Sequence, residues 1–155
     1  MTLSELNSFL RNKAIKFGLC QEWQNTIWNC ELSYSELLDI YIKGFDFSLD
    51  NDWLDYEFCK REFPAEELHA HNIYIDEDVD LEGENGYYIF IGHCTGKVTF
   101  DGLYAATVYV LRDSNISVCS YGGARTLALV YDRGRILSRS DNFSHIKVLD
   151  RRNKK

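Results

Sequence analysis

Five acidic residues alternate along the middle of the chain: Asp76, Asp78, Asp80, Glu82 and Glu84, with Glu77 beside them. Carboxylates at every second position share one face of an extended strand. Such a row can hold a hard cation or attract a positively charged partner. An EF-hand loop needs glycine at its sixth position and glutamate at its twelfth. Counted from Asp76, those positions hold Leu81 and Tyr87. The row therefore reads first as a solvated acidic loop; its functional reading is a docking surface for a basic protein, with an irregular calcium site as a further alternative.

His69, His71, His93 and Cys94 are the other residues with ligand or nucleophile chemistry. Zinc sites draw their ligands from tight pairs such as CxxC or HxxxH. The only close pair here is His69 and His71, with no second pair to complete a site. His93 and Cys94 are adjacent, and adjacent residues on a strand point to opposite faces, which disfavours a thiol–imidazole couple. No metal, cofactor or catalytic residue is expected. Cys94 and Cys119 read as small hydrophobes filling an interior.

Two further sets could bind macromolecules. Arg112, Arg125, Arg133, Arg135 and Arg139 lie among tyrosines that include Tyr121. Arginines interleaved with aromatic rings can bind single-stranded nucleic acid through phosphate contacts and stacking. Trp23, Trp28 and Trp53 are candidate anchors at a protein interface. Trp23 and Trp28 are five residues apart, so one helical stripe does not hold both, and one of the pair is expected at the surface.

These residues sit in a chain whose character changes partway. Residues 1–85 carry 19 Asp/Glu against 6 Lys/Arg, whereas residues 86–155 carry 5 against 11. The first part is patterned for helices. Thr2-x-x-Glu5 and Ser33-x-x-Glu36 are capping boxes. Apolar residues recur at helical spacing after each, and Gly18 and Gly44 stop the two helices. Further helices are expected over about 21–30 and 51–62, with a short one over 65–70 behind Pro64. A strand is expected over 72–76.

From Tyr87 onward, short apolar strings return at a period of roughly 19 residues, two per period. IFIG, TVYV, LALV and HIKV begin at Ile89, Thr107, Leu127 and His145; KVTF, NISV and RILS fall between them. Turn residues separate the strings, and no proline lies in this part to interrupt a ladder. The expected architecture is α+β: an acidic helical bundle over 1–70 that caps a short parallel β-solenoid over 71–150, then a basic tail over 151–155. An antiparallel β-sandwich or barrel is the alternative, since it also gives short strands about 9–10 residues apart.

The segments GLCQEW (18–23), ELLDIYIKGFDFSL (36–49) and the repeated strands from Tyr87 resemble small uncharacterised proteins carried by phages and mobile elements of gut bacteria. That resemblance implies, by analogy, a protein that binds and blocks a host protein, defence nucleases and the anti-CRISPR class included. The expected function is a non-enzymatic interaction module whose acidic surface engages a basic, nucleic-acid-handling partner. Direct nucleic-acid binding by the arginine- and tyrosine-rich solenoid is the alternative, and a homodimer through the solenoid is allowed. No apolar stretch suits a membrane span or a secretory signal, so a reducing, cytoplasmic setting is expected.

Overall fold

A computed structural model of the 155-residue chain describes residues 1–18, 21–28, 30–45 and 55–152. It divides into two compact units, Met1–His71 and Asn72–Lys155. No described helix is long and apolar enough to cross a membrane.

The first unit is helical. Helix α1 spans Leu3–Lys16, a π-helical turn Trp23–Ile27, α2 Tyr34–Lys43, α3 Tyr56–Glu62 and α4 Ala65–Ala70. Ser33 and Glu36 close a complete capping box at the start of α2. At α1 only half the box forms. Thr2 accepts the Glu5 amide, but its own hydroxyl donates to the Glu5 carboxylate. The helix expected over 21–30 is shorter and wound more widely, with the Trp28 amide donating to the Trp23 carbonyl at 2.8 Å. The first four positions of the helix expected over 51–62 lie outside the described residues.

One buried polar side chain organises this unit. Asn7 donates to the carbonyls of Leu3 (2.9 Å) and Leu32 (2.8 Å), and its Oδ1 accepts the Leu32 amide (2.8 Å) and the Trp28 indole N–H (3.3 Å). All its hydrogen-bonding capacity is used, as burial requires. Leu6, Leu10, Trp28, Leu37 and Leu38 are among the buried apolar residues of this unit.

The second unit is a parallel β-solenoid of about four turns. Its strands are β1 (Ile73–Ile75), β2 (Asp78–Glu82), β3 (Gly86–Ile91), β4 (Thr95–Asp101), β5 (Ala105–Val110), β6 (Asn115–Tyr121), β7 (Arg125–Val130), β8 (Arg135–Ser140) and β9 (His145–Asp150). Odd strands form one sheet in the order β1-β3-β5-β7-β9, and even strands the other, β2-β4-β6-β8. Every pair within both sheets is parallel. The sandwich or barrel alternative is thereby set aside. Consecutive strands are joined by short corners that carry the chain across to the other sheet, where a hairpin would have turned it back beside itself.

The register advances by 20 residues per turn from β3 onward: Gly86 pairs with Ala106, Ala106 with Thr126, and Thr126 with Ile146. The expected period of 19 averaged true steps of 20 with false steps of 18. Ile89 aligns with Tyr109, not Thr107, and Lys97 with Ser117, not Asn115. A slip of two residues preserves the in–out alternation of a strand, so the apolar pattern alone does not expose it.

Alternate residues of both sheets point inward. Phe90, Val98, Phe100, Val108 and Val118 form the dry interior. At the corner after β1, β3, β5 and β7 the chain passes through the left-handed region at Asp76, Gly92, Arg112 and Asp132 (φ 55°, 82°, 60° and 55°), a column that steps by 16 residues at the first turn and by 20 thereafter. Two places further, Cys94, Ser114 and Gly134 stack as small buried residues. The Ser114 hydroxyl accepts the Cys94 amide and donates to the Gly92 carbonyl, tying two turns together.

Candidate functional site

The outer face of the even sheet carries the acidic row, but not all of it. Strand β2 is five residues long, and it presents Asp78, Asp80 and Glu82 to solvent with Val79 turned into the core. Asp76 and Glu84 lie beyond its ends, so the expectation of five carboxylates on one strand face is corrected to three. Asp76 sits at a corner with φ 55°, where its carboxylate accepts the His93 amide at 2.8 Å. Glu84 lies in the loop before β3, its amide donating to the Tyr88 hydroxyl.

Next to the acids the face becomes small and polar. Thr95 donates its hydroxyl to Asp78 at 3.1 Å, and Lys97 is the register neighbour of Asp80. A shallow depression of about 490 Å³ runs over Asp80, Thr95, Lys97, Asn115 and Ser117. At the far edge of the same face, β8 exposes Arg135, Leu137 and Arg139. Cys119 also belongs to this face: it pairs in register with Thr99 and Arg139 between the inward Val118 and Ser120. Its side chain is buried, as expected of a small apolar residue, but on this outer face and not among the interior side chains, so the expected placement is corrected. Its hydrogen bond with Tyr121 pushes the tyrosine phenol above its ordinary value.

The basic set is dispersed by the turns of the solenoid. Arg135 and Arg139 share the even-sheet face. Arg125 starts β7 on the odd sheet, and Arg112 and Arg133 occupy corners. Arg133 is engaged with Asp113 through two hydrogen bonds, one of 2.9 Å, and His93 approaches Asp113 at 3.8 Å. Residues 93, 113 and 133 are equivalent positions on successive turns, so an imidazole, a carboxylate and a guanidinium stack along this corner. Arg133 holds the Asp113 carboxyl below the usual carboxylate range.

A second surface was not read from the sequence. On the outer face of the odd sheet, Tyr87, Tyr109 and Tyr131 form a diagonal stack with ring centroids 6.4 and 6.5 Å apart. Beside Tyr87, a shallow groove of about 430 Å³ is lined by Thr107, Arg125, His145 and Lys147. The 22-residue spacing of the tyrosines hid them from a search for the main period.

Among the tryptophans, Trp28 is buried and committed to Asn7, so it is withdrawn as a partner anchor. Trp23 is half-buried. Trp53 lies outside the described residues. The expected exposure of one of the first pair followed from α-helical spacing. The wider π turn brings residues five apart into the same hydrogen-bonded turn.

His93 and Cys94 lie in a corner, not on a strand, and still diverge. His93 is exposed, whereas the Cys94 thiol is buried and donates to the Tyr74 carbonyl at 3.2 Å. Burial pushes that thiol above its ordinary value, which opposes a nucleophilic role. The helical unit holds one polar constellation that spacing did not reveal. His71 Nδ1 lies 2.9 Å from the Glu67 carbonyl, and its Nε2 lies 3.3 Å from Ser35 Oγ and 3.1 Å from Asp39 Oδ1. A carbonyl only accepts, so the Nδ1 proton is directed at Glu67. Ser35 and Asp39 then share the same nitrogen. A hydrolytic triad sets its acid and its nucleophile on opposite nitrogens, so this cluster reads as a tie between α2 and α4.

No protein-family model, curated protein or solved structure matches the chain.

Proposed function

We propose that the chain is a non-enzymatic protein-interaction module that docks a basic partner on the acidic edge of its solenoid. The observation that supports this is the outward row Asp78, Asp80 and Glu82. Its carboxylates repeat at about 6.6 Å along a strand that is hydrogen-bonded into a rigid ladder. Ordered like charges at fixed spacing suit recognition of a cationic surface, since the cost of holding them in place has already been met by the fold. A basic partner of this kind is one that handles nucleic acid. The resemblance to phage and mobile-element proteins suggests a host defence protein, with the chain as its inhibitor in the cytoplasm.

The test is comparative capture from nuclease-treated lysate of a gut bacterium, using the wild-type chain and D78K/D80K/E82K. The expected result is a basic protein recovered by the wild type, lost from the variant, and released in about 0.5 M salt, where screening reaches within a few ångströms. Equal recovery by both chains sinks the reading.

A second reading, nucleic-acid binding, is favoured by the odd-sheet groove, where Arg125, His145 and Lys147 lie beside the exposed Tyr87. Tyr109 is flanked by the other two stacked rings, which leaves base stacking to the ends of the row. A gel shift with single-stranded DNA and RNA at low salt decides it. Binding that R125E/K147E does not weaken counts against this groove.

A further inference from the structure

The outer face of the even sheet is charged in opposite senses at its two edges. Strand β2 presents Asp78, Asp80 and Glu82, and β8 presents Arg135 and Arg139. Between them, β4 and β6 show mostly short polar residues. The register sets these residues in straight columns. Asp78, Thr95, Asn115 and Arg135 form one; Asp80, Lys97, Ser117 and Leu137 the next; Glu82, Thr99, Cys119 and Arg139 the third.

We propose that this face is an isologous interface with a second copy of the chain. The twofold axis lies in the plane of the face, parallel to the strands, between β4 and β6. A half-turn about that axis keeps strand direction and exchanges the two edges, so each column meets itself reversed. Asp78 then faces the second copy's Arg135, and Glu82 faces its Arg139, each pair occurring twice. The short side chains at the centre, such as Thr95 against Asn115, let the backbones approach closely. Leu137, 53% exposed in the single chain, is withdrawn from water against the column that contains Asp80. Lys97 accompanies Asp80 there as its register neighbour and supplies the compensating cation.

Charge complementarity selects this occupant. Any arrangement that superposes like edges sets three carboxylates against three, or two guanidinium groups against two, at a cost in repulsion. The described face offers roughly 300–400 Å² on each partner, from strand spacings of about 4.8 Å and rises of about 3.3 Å. That area, about 600–800 Å² over both partners, lies below the roughly 1,000 Å² of a stable interface, so the association is weak, transient, concentration-dependent and salt-sensitive. The inference rests on the reading of the acidic row as a docking strip, and implies that self-association and a basic partner compete for it.

The test is sedimentation analysis of the full chain in low salt, up to about millimolar protein, as a weak contact requires. Four chains are compared: the wild type, D78R/E82R, R135E/R139E, and the combined D78R/E82R/R135E/R139E. All the substitutions are at exposed positions, and circular dichroism checks folding. The wild type is expected to dimerise. Each double substitution sets like charges in opposition and weakens dimerisation about tenfold or more, and the combined charge swap restores it. A wild type that stays monomeric, double variants that dimerise as well as the wild type, or a combined swap that fails to recover would each overturn the proposal. R135E/R139E keeps the acidic row intact, so partner capture by this variant is expected to persist. Loss of capture with a working charge swap removes the partner reading alone. Retained capture without any dimer removes this inference alone.

Discussion

The Asp132 carboxylate accepts the backbone amide of Arg112 at 3.0 Å, one full turn of the solenoid away. Both residues occupy the same left-handed corner of successive turns. The side chain of one turn thus satisfies the backbone of the turn before it, as a capping residue does at a helix end. Asp141 does the same at the opposite corner, accepting the Gly122 amide at 2.9 Å. Asp132→Ala is expected to cost about 0.5–1.5 kcal/mol through the lost hydrogen bond. Arg112→Val costs about 1–2 kcal/mol, because a β-branched residue is strained at positive φ, whereas Arg112→Gly retains full stability. Urea unfolding of the three variants checks the ordering, and an Arg112→Val chain as stable as the wild type contradicts it.

Gly96 is the tightest point of the solenoid. It begins the approach of β4 to β2 at φ 120°, and a Cβ there would fall within the space of the Val79 backbone carbonyl. Backbone cannot yield as a side-chain tip does. Gly96→Ala is therefore expected to destabilise by more than about 3 kcal/mol, or to prevent the first turn from forming, combining overpacking with an unfavourable φ. Gly86→Ala is the matched control: its φ of 125° is similar, but nothing lies within 4 Å of the added atom. Thermal unfolding is expected to show the larger loss at position 96, and equal losses refute the packing argument.

These two positions show what the sequence made legible. The like-with-like return of apolar strings at one full period was enough to indicate parallel stacking, since it survives an error of two residues in register. The corner column was not legible, because its members are Asp, Gly, Arg and Asp, its first step is shorter than the others, and an arginine carries no mark of a left-handed backbone. The acidic row was over-read for a related reason. Alternation of charge continues through Asp76 and Glu84, but the corner at Asp76 ends the strand before the pattern ends. The tyrosine stack and the His71 cluster depend on neighbours 22 and 36 residues away, and no local pattern announces such pairs.

Asn7 gives a prediction for the helical unit. Its Oδ1 accepts from both the Leu32 amide and the buried Trp28 indole. Asn7→Ala removes this acceptor from two buried donors, with an expected loss of about 2–4 kcal/mol. Asn7→Asp keeps the acceptor but loses the donors to Leu3 and Leu32 and adds a buried charge, so it is destabilising too. Tryptophan fluorescence during urea unfolding follows both. A loss below about 0.5 kcal/mol for Asn7→Ala would show that surface-like substitution is tolerated there.

Acid sensitivity is expected mainly in the solenoid, which holds three lowered aspartates, with Glu62 of the helical unit lowered by its hydrogen bond to Arg61. Asp113 is held below the usual carboxylate range by its hydrogen bond to Arg133, and Asp141 by the Gly122 amide. Asp150 is lowered further, to about 2, by its hydrogen bond to the Arg152 side chain. Each group is more acidic folded than unfolded, where an aspartate titrates near 3.9. Their contribution is therefore complete above about pH 4 and is lost as pH falls through the folded values toward about 2. Asp150 is exposed and Asp113 and Asp141 are half-buried, so salt screens much of the ionic part of the effect. Folded stability measured by urea titration is expected to fall through this window. D113N/D141N is expected to flatten the decline, since an amide keeps an acceptor oxygen but no longer titrates. A variant with the same acid profile as the wild type would place the acid-sensitive groups elsewhere in the chain.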